Sequence, residues 1–274
     1  MPEEARAEII ESFDGAQIRL IHYGAPGPRG TCVVVPGWTE PSEKYGEVAL
    51  DLIDRGFSVV CYDPRGQGLS QRLTEEDGRG RIDDFSKHIK DLGAVVDHLN
   101  PERLVLLGHS MGGVVACATV QLASADAERL AGLVLVSSPG VRTHALLRGK
   151  PYGLISRLLK VPGLATLLKP WVRLGFQKMG FPRYPDGELI HTLHCVAHTS
   201  IPRHAERVHG LTLPTCVVWC EDDPLIERDK LQGLAEACPP GPRLGFASGG
   251  HNPQKSHALE LAQALIAWRS ELDA

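Results

Sequence analysis

A serine between two glycines follows a short apolar run near the middle of the chain. Gly108, Ser110 and Gly112 form the pattern G-x-S-x-G within LVLLGHSMGGVVACATV. RLVLL predicts a buried strand and GGVVACATV a helix, so the serine lies on a sharp strand-to-helix turn. Larger side chains at positions 108 and 112 would clash in such a turn. The pattern predicts Ser110 as an exposed nucleophile at a helix N-terminus, where the helix dipole favours developing negative charge.

A serine hydroxyl needs a base to take its proton, and an acid that orients the base. His251 follows the strand-like run RLGFA, on the loop SGGHN. Asp222 and Asp223 follow the strand-like run TCVVWC, and either could reach the site. The order serine, acid, histidine along the chain is typical of this kind of turn. His109 lies in the turn itself, and we interpret it as packing support.

Acyl transfer also needs N–H donors for the oxyanion of the tetrahedral intermediate. We expect one donor to be the backbone N–H of Met111, the residue after the nucleophile. The second is expected from the loop VVPGWTE, where Pro36 has no N–H and Gly37 lets the backbone approach closely. We predict the backbone N–H of Trp38 as the second donor. The indole of Trp38 either forms a wall of the pocket or packs in the core.

Strand-like runs alternate with helical patterns along most of the chain. Asp14-Gly15 between AEIIESF and QIRLIHY predicts an opening hairpin. Six further apolar runs predict strands at 31–35, 57–62, 103–107, 132–138, 215–220 and 243–247, and helices are predicted near 43–55, 84–99, 111–123, 226–237 and 254–272. The fold class is therefore α/β, with a mostly parallel, doubly wound sheet of about eight strands.

The alternation stops between positions 142 and 209. This stretch has no comparable strand-like run and contains six prolines, and so long a structureless loop is uncommon. We predict a helical cap at 142–209 inserted into a core domain formed by 1–141 and 210–274. The cap carries eleven Lys and Arg against three acids, which gives it a charge of +8 within a chain of net charge -4. A basic, amphipathic cap suggests contact with anionic lipid or a membrane surface, whereas a solvated basic face over packed apolar residues is the alternative.

Composition excludes several other classes of function. The net charge of -4 argues against a nucleic-acid partner. The N-terminal sequence MPEEARAEII carries three glutamates where a secretory signal has basic residues, and no apolar run is long enough to span a membrane, so we expect a cytoplasmic protein. The seven cysteines form no CxxC pair and show no metal-ligand spacing, which favours reduced, buried thiols and no metal.

Five motifs resemble those of α/β-hydrolases of the monoglyceride lipase and lysophospholipase type, which are grouped with the serine aminopeptidase-like hydrolases. These motifs are VVPGW, EKYGEVALDLIDRGFSVVCYDPRGQGLSQR, GHSMGG, EDDPLI and SGGHN. The resemblance covers most of 30–120 and, less closely, 211–272. It implies the α/β-hydrolase fold and activity on acyl esters without a cofactor. It favours Asp223 over Asp222 as the triad acid, because Asp223-Pro-Leu-Ile fits the family pattern, and it makes DPRGQGLS a structural turn. Many relatives carry His-Gly where this chain has Pro36-Gly37.

The leading hypothesis is hydrolysis of a small acyl ester, such as a monoacylglycerol or lysophospholipid, through an acyl-enzyme on Ser110. An aminopeptidase would need acids in the cap to hold the substrate ammonium, and the cap has few. Perhydrolases and C–C bond hydrolases use the same triad and stay open as alternatives. Dehalogenase chemistry is disfavoured because it needs an aspartate at the serine position. A non-catalytic binding module on the same fold is the remaining alternative.

Overall fold

The computed structural model describes residues 5–24, 30–38, 40, 42–72, 85–122, 129–179, 181, 183 and 185–272. Positions 84 and 123, at the ends of two predicted helices, lie outside these ranges. Within them, eight strands form one sheet: β1 (Ala5–Glu11), β2 (Gln17–Tyr23), β3 (Thr31–Val35), β4 (Ser58–Tyr62), β5 (Leu104–His109), β6 (Leu130–Val136), β7 (Thr215–Cys220) and β8 (Arg243–Phe246).

The sheet has the strand order β1-β2-β4-β3-β5-β6-β7-β8. β1 and β2 form the predicted antiparallel hairpin, with the Gly15 N–H bonded to Ser12 O at 3.0 Å. β2 also pairs antiparallel with β4, and all later neighbours pair in parallel. The α/β prediction of a mostly parallel sheet of about eight strands is confirmed.

Helices connect the parallel strands, as the alternating pattern predicts. A 3₁₀ turn at Ser42–Tyr45 leads into the first of them: α1 (Gly46–Ile53), α2 (Ser86–Leu99), α3 (Met111–Leu122), α4 (Tyr152–Leu158), α5 (Pro162–Lys178), α6 (Asp186–His198), α7 (Ile201–His209), α8 (Arg228–Ala237), α9 (Pro253–Ser256) and α10 (Ala258–Leu272).

The single helix predicted over 254–272 was wrong in one respect, because it is broken at His257. This residue has φ -135° and ψ 37°, outside the helical region. Its ring stacks on Phe246 with centroids 3.9 Å apart, and its Nε2 lies 2.8 Å from the carbonyl oxygen of Ser248. These contacts with β8 and the following loop hold the side chain where a continuous helix would not place it.

Both faces of the sheet are covered, which is why its strands are nearly continuous apolar runs. On β3, Val33 and Val35 pack into the core beneath α2, α3 and α8, whereas Cys32 and Val34 pack into the core beneath α1 and α10. All seven cysteines are buried and none forms a disulfide, as expected from their spacing. The sheet therefore provides a rigid base whose carboxyl edge carries the loops of the site.

Four helices, α4 to α7, occupy the stretch between β6 and β7 for which no strand was predicted. Their apolar residues include a separate small core of Leu159, Ala165, Phe176, Leu189, Ile190 and Leu193, against which Trp38 of the main body packs. The division at 142 and 209 stays our prediction. No described helix combines the length and apolar character that crossing a bilayer requires.

The DPRGQGLS turn after β4 is organised around one buried carboxylate. Asp63 is fully buried and accepts hydrogen bonds from the backbone N–H and hydroxyl of Ser42 and from the N–H of Leu69, at 2.7 to 2.8 Å. Asp63 also pairs with the guanidinium of Arg19, at 3.1 Å. Because a buried carboxylate needs such partners, this segment is a structural connector, and it fixes the chain that leads from β3 into α1.

Candidate active site

Ser110 lies in a strained turn between β5 and α3. Its φ is 52°, a left-handed conformation that a residue with a side chain rarely adopts. The backbone N–H of Ser110 donates to Val136 O on the neighbouring strand at 2.8 Å, and its carbonyl accepts from the Gly113 N–H at 3.0 Å. The turn points the hydroxyl out of the sheet edge at the N-terminus of α3.

Gly108 and Gly112 are required by close backbone approach. A Cβ at position 108 would lie 2.6 Å from the Cα of Gly113. A Cβ at position 112 would lie 2.1 Å from the carbonyl oxygen of Val35, at the end of β3. Gly108 therefore lets the turn pack against the start of α3, and Gly112 lets it pack against the end of β3.

His251 and Asp223 meet Ser110 at the same edge of the sheet. Nε2 of His251 lies 2.9 Å from the Oγ of Ser110. Nδ1 of His251 lies 2.7 Å from Oδ2 of Asp223. The three residues come from the loops after β5, β7 and β8, so parallel strands bring together residues that are far apart in sequence. This is the geometry in which an acid orients an imidazole and the imidazole accepts the serine proton.

The Asp223 carboxylate is held in its ionised form. Its Oδ1 accepts the backbone N–H groups of Leu225 and Ile226 at 2.8 and 3.1 Å, and its side chain has no exposed surface. Burial alone would raise the pKa of Asp223, but the hydrogen bond and charge of His251 and the two N–H groups outweigh it and lower the pKa below its ordinary value. A charged Asp223 can therefore stabilise the imidazolium of His251 while that ring holds the proton.

Asp222 has a different role from its neighbour. It is exposed, as expected for a solvated turn residue, but its two carboxylate oxygens accept the N–H groups of Gly249 and Gly250 at 3.2 and 2.8 Å. These glycines directly precede His251. Asp222 thus fixes the loop that carries the imidazole, a role that the sequence interpretation missed. The acid pair Asp222-Asp223 and the distant pair Gly249-Gly250 were visible in the sequence, but nothing local linked them.

His109 joins a buried polar network that the sequence did not reveal. Its Nε2 lies 2.8 Å from the carbonyl oxygen of His251, and its Nδ1 lies 2.9 Å from the Tyr45 hydroxyl. That hydroxyl also accepts the Gly37 N–H at 2.8 Å and contacts Glu40 Oε2 at 3.1 Å. Because a carbonyl only accepts, Nε2 of His109 carries the proton. Burial lowers the pKa of His109 and outweighs Glu40, which acts to raise it. The lowered pKa favours the neutral ring.

This network connects two parts of the site. It begins at the backbone of Gly37 in the loop after β3 and ends at the backbone of His251. His109 is therefore more than packing support, because it holds the main chain of the candidate base. The sequence around Glu40 and Tyr45 did not predict their place in this network, because the network joins residues of different elements.

The two predicted oxyanion donors belong to the residue after Ser110 and to the loop that passes beside it. In the described part of the chain, the backbone N–H groups of Trp38 and Met111 donate to no protein acceptor. Trp38 follows Gly37, where a Cβ would lie 3.3 Å from the Cβ of Ser110. The loop after β3 thus passes directly beside the serine. The Trp38 indole lines the cavity, and its Nε1 donates to Thr192 Oγ1 of α6 at 2.7 Å.

A cavity of about 300 Å³ opens above Ser110 and His251. Its walls are mainly apolar and come largely from the segment after β6: Leu146, Leu147, Tyr152, Phe176, Met179, Phe181 and Val196, with Leu225 and Ile226 from the loop after β7. A mainly apolar pocket with a few convergent polar groups is typical of a small-molecule site.

The two neighbouring aspartates generate a paired prediction. We expect Asp223→Asn to lower kcat by about 10⁴-fold, because the amide no longer stabilises the imidazolium. Asp222→Asn should lower kcat by less than about 30-fold, because one amide oxygen still accepts a loop N–H. Both are measured by steady-state hydrolysis of p-nitrophenyl acetate, with far-UV circular dichroism as the folding control. If Asp222→Asn abolished turnover and Asp223→Asn did not, the assignment would be reversed.

Comparisons with known proteins agree with this architecture. Residues 26–179, more than half of the chain, match the family model of the serine aminopeptidases S33. Lysophospholipase L2 of Escherichia coli is 28% identical over 183 residues, which is 65% of this chain and 47% of that protein. The chain thus spans about half the length of this lysophospholipase.

Two further likenesses extend over nearly the whole chain. The 2-hydroxy-6-oxononadienedioate/2-hydroxy-6-oxononatrienedioate hydrolase of Cupriavidus pinatubonensis is 24% identical, covering 96% of this chain and 90% of that protein. The solved structure of a thermophilic esterase from Thermogutta terrifontis superposes with a TM-score of 0.72 and 20% identity, covering 98% of this chain and all of that one. The chain belongs to the serine aminopeptidase S33 family of α/β-hydrolases.

Proposed function

We propose that the protein hydrolyses carboxylic esters through an acyl-enzyme on Ser110. The observation that carries this proposal is the continuous chain of contacts from Asp223 through His251 to the Ser110 hydroxyl, at 2.7 and 2.9 Å, beneath an apolar cavity. Curated relatives described as hydrolases and lysophospholipases support it.

The reaction proceeds in two halves. Ser110 Oγ attacks the ester carbonyl while Nε2 of His251 takes its proton, and the backbone N–H groups of Trp38 and Met111 hold the resulting oxyanion. The bond to the alcohol then breaks, and His251 gives the proton to the departing oxygen. Water next attacks the acyl-enzyme with His251 again as the base, releasing the carboxylic acid and restoring the Ser110 hydroxyl.

The substrate class follows from the cavity walls. The apolar lining favours an acyl chain, as in a monoacylglycerol, a lysophospholipid or a similar small ester. None of the eleven basic residues of segment 142–209 is among the residues that line this cavity. We therefore place the effect of the cap charge at the outer surface of the cap and not at the bound substrate.

An aminopeptidase reaction is less well supported. Among the described residues that line the cavity, Glu40 is the single acid. It already contacts the Tyr45 hydroxyl, His109 Nδ1 at 3.3 Å and the Lys255 ammonium at 3.6 Å. A carboxylate with these partners is poorly placed to hold the ammonium of a peptide substrate. Perhydrolase and C–C bond hydrolase activities share the triad and are outcomes of the substrate test.

The exposed face of α5 supports contact between the protein and a lipid surface. Leu164, Leu167, Trp171 and Leu174 follow one another along one side of this helix, and Leu167 and Trp171 are 69% and 72% exposed. The apolar residues of the segment are therefore not all packed onto the body of the protein. Two nearby cations, Lys169 and Arg173, pair with Asp186. The lipid contact therefore rests on the apolar stripe, because an exposed apolar stripe along one side of a helix is typical of a helix that lies in a membrane interface.

Ester hydrolysis is tested with a panel of p-nitrophenyl and glyceryl esters of graded chain length. We expect kcat/KM to rise with acyl length until the cavity is filled, and to fall by at least about 10³-fold in Ser110→Ala. A fluorophosphonate probe should label the folded protein at Ser110 alone. Absence of both turnover and a probe adduct would favour the non-catalytic binding module. Turnover of amides, of peroxide or of C–C bonds without turnover of esters would instead favour an aminopeptidase, a perhydrolase or a C–C bond hydrolase.

Membrane contact is tested by sedimentation with phosphatidylglycerol-phosphatidylcholine vesicles. Leu167→Ser should weaken vesicle binding by about tenfold. The reason is that the variant no longer buries a leucine side chain in the lipid, which is worth about 1.5 kcal/mol. Ile9→Ser is the matched control, since Ile9 is 62% exposed on the edge strand β1. Equal binding by both variants and the unmodified protein would show that α5 does not enter the interface.

A further inference from the structure

Three side chains of metal-binding type meet where the main body contacts the segment between β6 and β7. His88 lies on α2, and His191 and Cys195 lie one turn apart on α6. All three are buried, with 4%, 3% and 0% of their surfaces exposed. Their ligand atoms lie within 4.8 Å of one another. None of them lines the catalytic cavity.

Two of the three distances between these atoms lie near the edges of a tetrahedral site, and the third, from His88 to Cys195, is no longer than 4.8 Å. Metal–nitrogen and metal–sulfur bonds of about 2.1 and 2.3 Å place two nitrogens about 3.4 Å apart, and a nitrogen and a sulfur about 3.6 Å apart. Nε2 of His88 lies 3.1 Å from Nε2 of His191, and this atom lies 3.7 Å from Sγ of Cys195. We propose that His88, His191 and Cys195 bind one Zn²⁺ ion, with a fourth position left for water or a carboxylate.

The chemical state of the ligands suits this ion. Burial lowers the pKa of His88 to about 3 and that of His191 well below its ordinary value, so both rings are neutral. At 3.1 Å one Nε2–H donates to the other Nε2, and ion binding would move that proton to Nδ1 of the same ring, which leaves both Nε2 atoms as ligands. Burial raises the pKa of the Cys195 thiol, so the thiol keeps its proton until a cation arrives. Binding then forms the Zn–S bond and releases one proton to solvent. Two imidazoles and a thiolate are a ligand set that Zn²⁺ accepts.

Glu188 supplies a second observation that points to a cation. It lies on α6 one turn before His191 and is 3% exposed. No described residue donates a hydrogen bond to either of its carboxylate oxygens, and a charged partner is the exposed Arg72 at 3.7 Å. A buried carboxylate with so few partners is costly. Beside a bound Zn²⁺ it would balance the remaining positive charge or, after a rotamer change, fill the fourth position.

The site would fasten α6 to α2 beside the loop after β3. The Trp38 indole stacks on the His191 ring, with centroids 6.2 Å apart, and meets the His88 ring edge-on at 5.4 Å. Its Nε1 donates to Thr192, the residue after His191. A bound ion would therefore stiffen the contact between α6 and the residue whose backbone N–H we expect to hold the oxyanion.

The test uses the full chain, stripped with a chelator and titrated with Zn²⁺ against a chromophoric competitor. We expect one Zn²⁺ per chain and a Zn²⁺-dependent rise in Tm. Cys195→Ser and His191→Gln should each weaken binding by at least about 100-fold, and Glu188→Gln by about tenfold. Cys117→Ser is the matched control, because Cys117 is an equally buried thiol on α3 and should leave affinity unchanged.

Co²⁺ substitution provides a readout that needs no variant. Co²⁺ bound to the unmodified protein should show the thiolate charge-transfer absorption of a sulfur ligand and the visible bands of a tetrahedral site. The proposal is overturned if the stripped chain takes up no Zn²⁺, if Cys195→Ser binds as tightly as Cys117→Ser, or if bound Co²⁺ lacks the thiolate absorption. Because these measurements do not use turnover, they are independent of the proposed ester hydrolysis.

Discussion

The turn at Ser110 is the constraint on which the rest of the site depends. A serine at φ 52° costs about 1–3 kcal/mol, and it persists because the surrounding structure leaves no other conformation. Its N–H is committed to Val136, and the helix that follows lies so close to β3 that position 112 tolerates no Cβ. The same close packing brings Gly37 against the serine. One strained residue therefore places both the candidate nucleophile and the loop that is expected to hold the oxyanion.

The candidate base is held through its backbone as well as through its ring. Asp223 orients the imidazole of His251, Asp222 holds the two N–H groups before it, and His109 donates to its carbonyl. Two separate elements, the loop after β7 and the end of β5, thus restrain one residue on a loop that contains two glycines. This restraint matters because a base displaced by about 1 Å loses much of its effectiveness. The buried Tyr45 hydroxyl extends the restraint to the loop after β3.

Local patterns in the sequence were sufficient for the fold and for most of the candidate site residues, whereas the choice of Asp223 over Asp222 came from the family resemblance. The apolar runs gave the eight strands, and the order Ser110, Asp223, His251 follows from strands that end at one edge. What the sequence could not give were contacts between distant polar residues, such as Asp222 with Gly250 or Tyr45 with His109. Each of these pairs depends on the relative placement of elements, which no local pattern encodes.

The same limit explains two other results. The alternation of basic and apolar residues in segment 142–209 did not show which side of α5 faces the body, so the exposure of Trp171 became visible only in the structure. Spacing among the cysteines alone predicted no metal site. The cluster of His88, His191 and Cys195 joins two helices separated by about a hundred residues, and only their packing brings it together.

The central claim is that Ser110, His251 and the two backbone donors act on one carbonyl group. The most direct test is a crystal structure of the protein inhibited by an alkyl phosphonate ester. The account predicts phosphorus bonded to Ser110 Oγ, with one phosphonyl oxygen about 2.7–3.1 Å from the backbone nitrogens of both Trp38 and Met111. The alkyl chain should lie in the apolar cavity. Phosphorus on another residue, or a phosphonyl oxygen turned away from both nitrogens, would contradict the account.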